Sequence, residues 1–98
     1  MKKIINGRLY NTETAKEIGD WDNGYMGFER CVETLYQKKN GEFFLYGAGG
    51  PMSKYSESYD GGWSGGSEII PLTENEAMLW VEKNLSADKY LELWDAEE

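Results

Sequence analysis

Two Asn-Gly dipeptides, Asn6-Gly7 and Asn40-Gly41, each stand between strand-forming residues, and they constrain the fold of this chain more than any other feature. A two-residue hairpin turn needs positive φ at its centre, which glycine adopts freely and asparagine tolerates. Pairing about the first turn sets Ile4 opposite Leu9. Pairing about the second sets Leu35 opposite Tyr46 and Tyr36 opposite Leu45, so both faces of that hairpin carry apolar side chains. Helices can cover one face; the other needs a loop, a further strand or a partner.

The segment between the hairpins, NTETAKEIGD, offers Asn11, Thr12 or Thr14 as a helix N-cap, Glu17 three residues after Thr14, and Gly19 as a stop, which predicts a short helix. The next stretch, WDNGYMGF from Trp21 to Phe28, contains a third Asn-Gly and is compatible with either a turn or a distorted edge strand. From Gly47 to Gly66, seven of twenty residues are glycine and only aromatics supply bulk, which predicts a long loop, and such loops are usually functional or mobile. Strand character returns in SEIIPL, where Pro71 favours an edge position.

Two helices close the chain. Thr73 and Glu76 form a capping-box pattern ahead of AMLWVEKNL, which places Ala77, Met78, Trp80, Val81 and Leu85 on one face and Glu76, Leu79, Glu82 and Lys83 on the other. Ser86 can cap a last helix in which Ala87, Tyr90, Leu91 and Trp94 recur at helical spacing, leaving Asp88, Glu92 and Asp95 outward. The expected architecture is one α+β domain over residues 1–98: a small antiparallel sheet of hairpins with about three short helices, two of them at the C-terminus. At 98 residues the core must be compact, and fourteen Trp, Tyr and Phe residues supply the apolar area for it.

The charge is uneven. Residues 1–42 hold seven basic and seven acidic side chains, whereas from residue 43 onward Lys54, Lys83 and Lys89 face eleven carboxylates, which accounts for the whole net charge of -8. Such a field repels nucleic-acid phosphates and attracts basic proteins. The start, MKKIINGRLY, lacks the apolar run of a signal peptide, and no stretch approaches the roughly 18 apolar residues of a membrane span, so a cytoplasmic chain with no membrane partner is expected.

With no histidine, the usual catalytic triads and zinc sets are missing, and the single Cys31 reads as a buried reduced thiol rather than a nucleophile. The carboxylates show no metal-ligand cluster; Asp20 and Asp22 beside Asn23-Gly24 read as turn chemistry. GAGGPMSK lacks the spacing of a phosphate loop, and Pro51 removes an amide donor, so its glycines read as conformational. No enzyme, cofactor or metal is expected. Lys54, Tyr55, Tyr59 and Trp63 on the glycine-rich segment suit a protein interface better than stacking on bases, given the acids around them, or else they pack the loop down. The helical acids are either a solubilising surface or a patch that competes with nucleic acid for a basic groove.

Three segments taken together, KKIINGRLYNTETAKEI, FFLYGAGGPMSKYSESY and WSGGSEIIPLTENEA, resemble a domain of proteins from mobile elements in Gram-positive bacteria that occurs among anti-CRISPR proteins, including inhibitors of the type II-A RNA-guided nuclease. The resemblance covers nearly the whole chain and includes Asn6, Gly7, Tyr10, Gly47, Gly49, Gly50, Ser53, Lys54, Tyr55, Trp63 and 69–72, most of which read as structural. It does not extend well to the stretch from Tyr25 to Arg30. It implies a protein that binds the type II-A effector and blocks guide RNA loading or DNA engagement, with Glu76, Glu82, Asp88, Glu92 and Asp95 steering and the loop aromatics anchoring. Two other readings stand beside it: a mobile-element interaction module with another partner, such as a regulator or restriction enzyme, and a nuclease acting on guide RNA.

Overall fold

A computed structural model describes residues 1–98. Lys2–Ile5 (β1) and Arg8–Asn11 (β2) form the first hairpin, with Asn6 and Gly7 both at positive φ and Ile4 opposite Leu9 as expected. A four-stranded antiparallel sheet follows, built from Lys16–Asp22 (β3), Cys31–Gln37 (β4), Phe43–Gly49 (β5) and a last strand, Gly66–Leu72. A two-stranded ribbon, Glu57–Tyr59 (β6) and Gly62–Ser64 (β7), stands between β5 and that last strand, β8. Helices Glu74–Asn84 (α1) and Ala87–Leu93 (α2) complete the α+β fold.

The helix expected between the hairpins is a strand. Asn11 closes a turn instead: its carbonyl accepts from the amides of Thr14 and Ala15, and its Oδ1 accepts from Glu13 N. Asparagine and threonine bond readily to nearby backbone in this way, which competes with helix formation. Ile18 is the one large apolar residue of the segment; as part of β3 it is buried in the main core. Gly19 is not a helix stop but part of a bulge in the β3–β4 register, and a Cβ there would stand 2.6 Å from Leu85 Cδ1.

The second hairpin differs by one residue from the expected register. Leu35 faces Leu45 and Tyr36 faces Phe44, because Gly41 N donates to Lys38 O and only Gly41 takes positive φ, which adds a residue to the loop. The shift decides which side chains share a face. Ile18, Leu35, Phe43 and Leu45 meet Ala77 and Val81 of α1 on one face, with Trp80, Leu85, Tyr90, Leu93 and Trp94 packed around them. In α2 it is Leu93, not Ala87 or Leu91, that joins Tyr90 and Trp94 inward; Leu91 is 55% exposed. The Trp94 ring packs 5.5 Å from that of Phe43.

The other face of the sheet is covered by the first hairpin. Tyr10 is buried edge-on against Phe44, which also stacks on Tyr36, and Ile69 closes this smaller core. Arg8 reaches Glu42 at 2.7 Å, tying this hairpin to the β4–β5 turn. Strand β8 is an edge strand, where Pro71 can sit without interrupting a ladder on both sides.

The predicted glycine-rich loop is largely ordered structure. Gly47 to Gly49 finish β5, residues 50–56 turn, and Asp60-Gly61 caps the β6–β7 ribbon with Gly61 at φ 95°. The glycines admit close backbone packing rather than slack: a Cβ on Gly50 would lie 2.6 Å from the carbonyl oxygen of Phe28.

Candidate functional site

Strand alternation in CVETL puts Glu33 on the same face as Cys31 and Leu35, so its carboxylate is carried into the space between sheet, α1 and the 50–56 turn. Glu33 is only 4% exposed. Its Oε2 accepts from the Tyr55 hydroxyl and lies 2.6 Å from Lys54 Nζ; its Oε1 accepts from Trp80 Nε1 at 3.0 Å. Burial pushes this carboxyl up, but the hydrogen bonds from Lys54, Tyr55 and Trp80 and the charge of Lys54 outweigh it and hold the pKa below the ordinary glutamate value. The same burial, reinforced by Glu33, drives the Tyr55 hydroxyl well above the usual tyrosine range. Burial also raises the Cys31 thiol, with Glu33 adding to the shift.

Chemically this cluster is a clasp. Both carboxylate oxygens are engaged by donors, and no buried side-chain polar atom is left without a partner. It joins three segments far apart in sequence: β4, the 50–56 turn and α1. Glycine-rich segments in the sequence drew attention to Tyr55 and Lys54 but not to Glu33, although an acid flanked by inward-facing strand positions was the visible signal.

Tyr55 therefore cannot act as an exposed anchor: it is 6% exposed and lies against Gly47. Lys54 keeps most of its side chain in solvent but is committed to Glu33. Tyr59 and Trp63 are exposed on the ribbon, at 60% and 62%. The helical acids are exposed as expected, with differing engagements. Glu76 closes the capping box through the Thr73 amide, whose hydrogen bond lowers its pKa. Glu92 lies 3.0 Å from Lys89, whereas Glu82, Asp88 and Asp95 make no ion pair.

The ribbon shares its end of the sheet with residues that carried no role in the sequence. Asp22, Cys31, Gly49 and Gly66 all lie at one end of the four strands, so the 23–30 loop, the 50–56 turn and the ribbon leave from the same edge. Asn23 closes the neck of the 23–30 loop: its Oδ1 accepts from the amides of Tyr25 and Cys31, and its Nδ2 donates to Glu29 O. Met52 N donates to Phe28 O and Gly50 N to Arg30 O, which fixes the loop against the turn. Tyr25, Met26, Phe28 and Met52 are thereby held in solvent, each more than 60% exposed. Glu29, Glu57 and Asp60 are exposed on the 23–30 loop and the ribbon and Glu68 near the start of β8, and Arg30 is paired with Asp22 at 2.9 Å.

The two groups of expected contact residues meet only where Lys54 and Glu76 line one cleft beside Trp80; the rest stand apart. Trp94 of the helical layer packs on Phe43, at the opposite end of a seven-residue strand from Gly49, a separation of about 20 Å. No helix is long and apolar enough to cross a membrane. Compared with family models, curated proteins and solved structures, the chain matches none of them.

Proposed function

We propose that this protein is a non-catalytic binding module that docks onto a basic protein surface, and that the surface belongs to a type II-A RNA-guided nuclease. The carrying observation is the loop end of the sheet. Six large apolar side chains, Tyr25, Met26, Phe28 and Met52 on braced segments and Tyr59 and Trp63 on the ribbon, stand exposed there among unpaired acids. Aromatic and methionine side chains of this kind anchor protein interfaces, and a cluster of them in solvent marks an interaction site.

The acids choose the class of partner. They oppose phosphate backbones and anionic lipid and favour a partner rich in lysine and arginine. A type II effector presents basic channels for guide RNA and target DNA. Occupying such a channel blocks guide loading or DNA engagement, with the loop end as anchor and the acids of α1 and α2 adding a long-range attractive field. The choice of this nuclease among basic proteins rests on the sequence resemblance to the mobile-element domain.

The test is interference against a targeted plasmid in cells that carry a type II-A system and express the protein. Interference is expected to fall, and to recover when Trp63 and Phe28 are both changed to serine. Unchanged interference with the wild-type chain, together with no binding of purified effector with or without guide RNA, sinks the reading.

A further inference from the structure

Helix α2 has apolar residues on two sides. Tyr90, Leu93 and Trp94 pack onto the core, yet Ala87 and Leu91, one helical turn apart, face outward. With Leu85 and Ala96 they line an open cleft of about 400 Å³ that also takes in part of Tyr90 and is bordered by Glu82. A solvated seven-residue helix gains nothing from a second apolar side unless something covers it. Exposed acids stand near the cleft: Asp88 and Glu92 within α2, Asp95 just after it, and Glu97 and Glu98 after Ala96.

We propose that this cleft is a second docking site, separate from the loop end, and that it takes an amphipathic basic segment of a partner protein. The apolar strip of the segment lies on Leu85, Ala87 and Leu91, and its lysines and arginines meet Glu82, Asp88 and Asp95, none of which has an ion-pair partner within the chain. This is the helix-in-groove mode of recognition, with the charge pattern setting the sign of the partner. A second copy of this chain is disfavoured because it would bring the same acids together, and an anionic membrane is repelled by them. The site does not depend on the loop end or on the identity of the nuclease.

The experiment is a titration of isotopically labelled full-length protein with a synthetic peptide of leucine and lysine at helical spacing, followed by amide and methyl NMR. Shifts are expected at Leu85, Ala87, Leu91 and Ala96, with binding that weakens as salt is raised. Leu91→Asp should bind the peptide at least about tenfold more weakly. Its fold should be kept, since Leu91 is an exposed position. Leu9→Asp, at another exposed apolar position on the first hairpin, should bind as wild type. The proposal is overturned if the shifts are absent or scattered over the surface, if a peptide of the same composition in scrambled order binds equally, or if Leu91→Asp leaves binding unchanged. It is also overturned if the cleft shifts appear on concentrating the protein alone, or with phosphatidylglycerol vesicles. A wild-type protein that binds no peptide at the cleft yet suppresses plasmid interference would remove this site and leave the loop-end reading standing; the reverse pattern would do the opposite.

Discussion

The phenol ring of Tyr55 occupies the space in which residue 47 would place a Cβ, so Gly47 is glycine because Tyr55 lies on it. A side chain at residue 47 would have to displace the Tyr55 ring and with it the 50–56 turn. Gly47→Ala is expected to destabilise the fold by about 1–3 kcal/mol through overpacking, measured by urea unfolding. An alanine variant as stable as wild type would show that the turn shifts freely.

Glu33 gives an acid-side prediction. Its folded pKa lies below the ordinary value of 4.5, so its stabilising contribution is present above that value and is lost as pH falls through the folded pKa. Glu33→Gln should cost about 1.5–3 kcal/mol at neutral pH, because charge-assisted bonds from Lys54, Tyr55 and Trp80 are weakened together. The variant should also show a flatter decline between pH 5 and pH 2, roughly the range over which such carboxylates titrate. A parallel acid limb in both proteins would rule the cluster out as its source.

On the alkaline side the sign reverses. Tyr55 and Cys31 have raised pKa values, from reference values of 10.0 and 9.0, so their contributions are complete below those values. They are lost as pH rises, because the unfolded chain ionises first. Stability measured from pH 8 to pH 11, a window of about one unit on either side of these references, should fall, and Tyr55→Phe should lessen the fall.

Thr73 makes a simple local prediction. Its side chain accepts from Glu76 N while Glu76 bonds back to the Thr73 amide, so Thr73→Ala should cost about 1 kcal/mol and fray the first turn of α1, seen as lost amide protection there.

At the loop end, stability and binding should separate. Met26 and Phe28 are exposed at 85% and 65%, so serine at either should leave unfolding within about 0.5 kcal/mol of wild type. Loss of effector binding in the same variants would then report contact, not misfolding.

Local chemistry made part of this fold legible in the sequence. The Asn6-Gly7 turn, the edge placement of Pro71 and the caps at Thr73 and Ser86 depend on neighbours in the chain, and all appear as expected. Features set by distant contacts did not. The segment from Lys16 to Asp22 has capping residues before it but becomes a strand because β4 offers it a ladder and the core a place for Ile18. The register at Asn40-Gly41 turned on whether asparagine would also take positive φ, which a dipeptide does not decide. In the glycine-rich stretch, Asp60-Gly61 was a hairpin signal masked by the composition around it. The exposed residues at 25–28 are revealed only by the fold, through bracing, and Glu33, whose inward strand position was visible, shows its role only through the convergence of donors on it.

That convergence bears on how the chain can be divided. The donors to Glu33 lie 22 residues away at Tyr55 and 47 residues away at Trp80. A fragment ending before α1 would lose the Trp80 donor to Glu33 and leave Ile18, Leu35, Phe43 and Leu45 open to water, an expensive state for a small sheet. The hairpins are thus not an autonomous subdomain to which helices were added. Sheet, turn and helices should unfold in a single cooperative step, and truncation should abolish the fold rather than trim it.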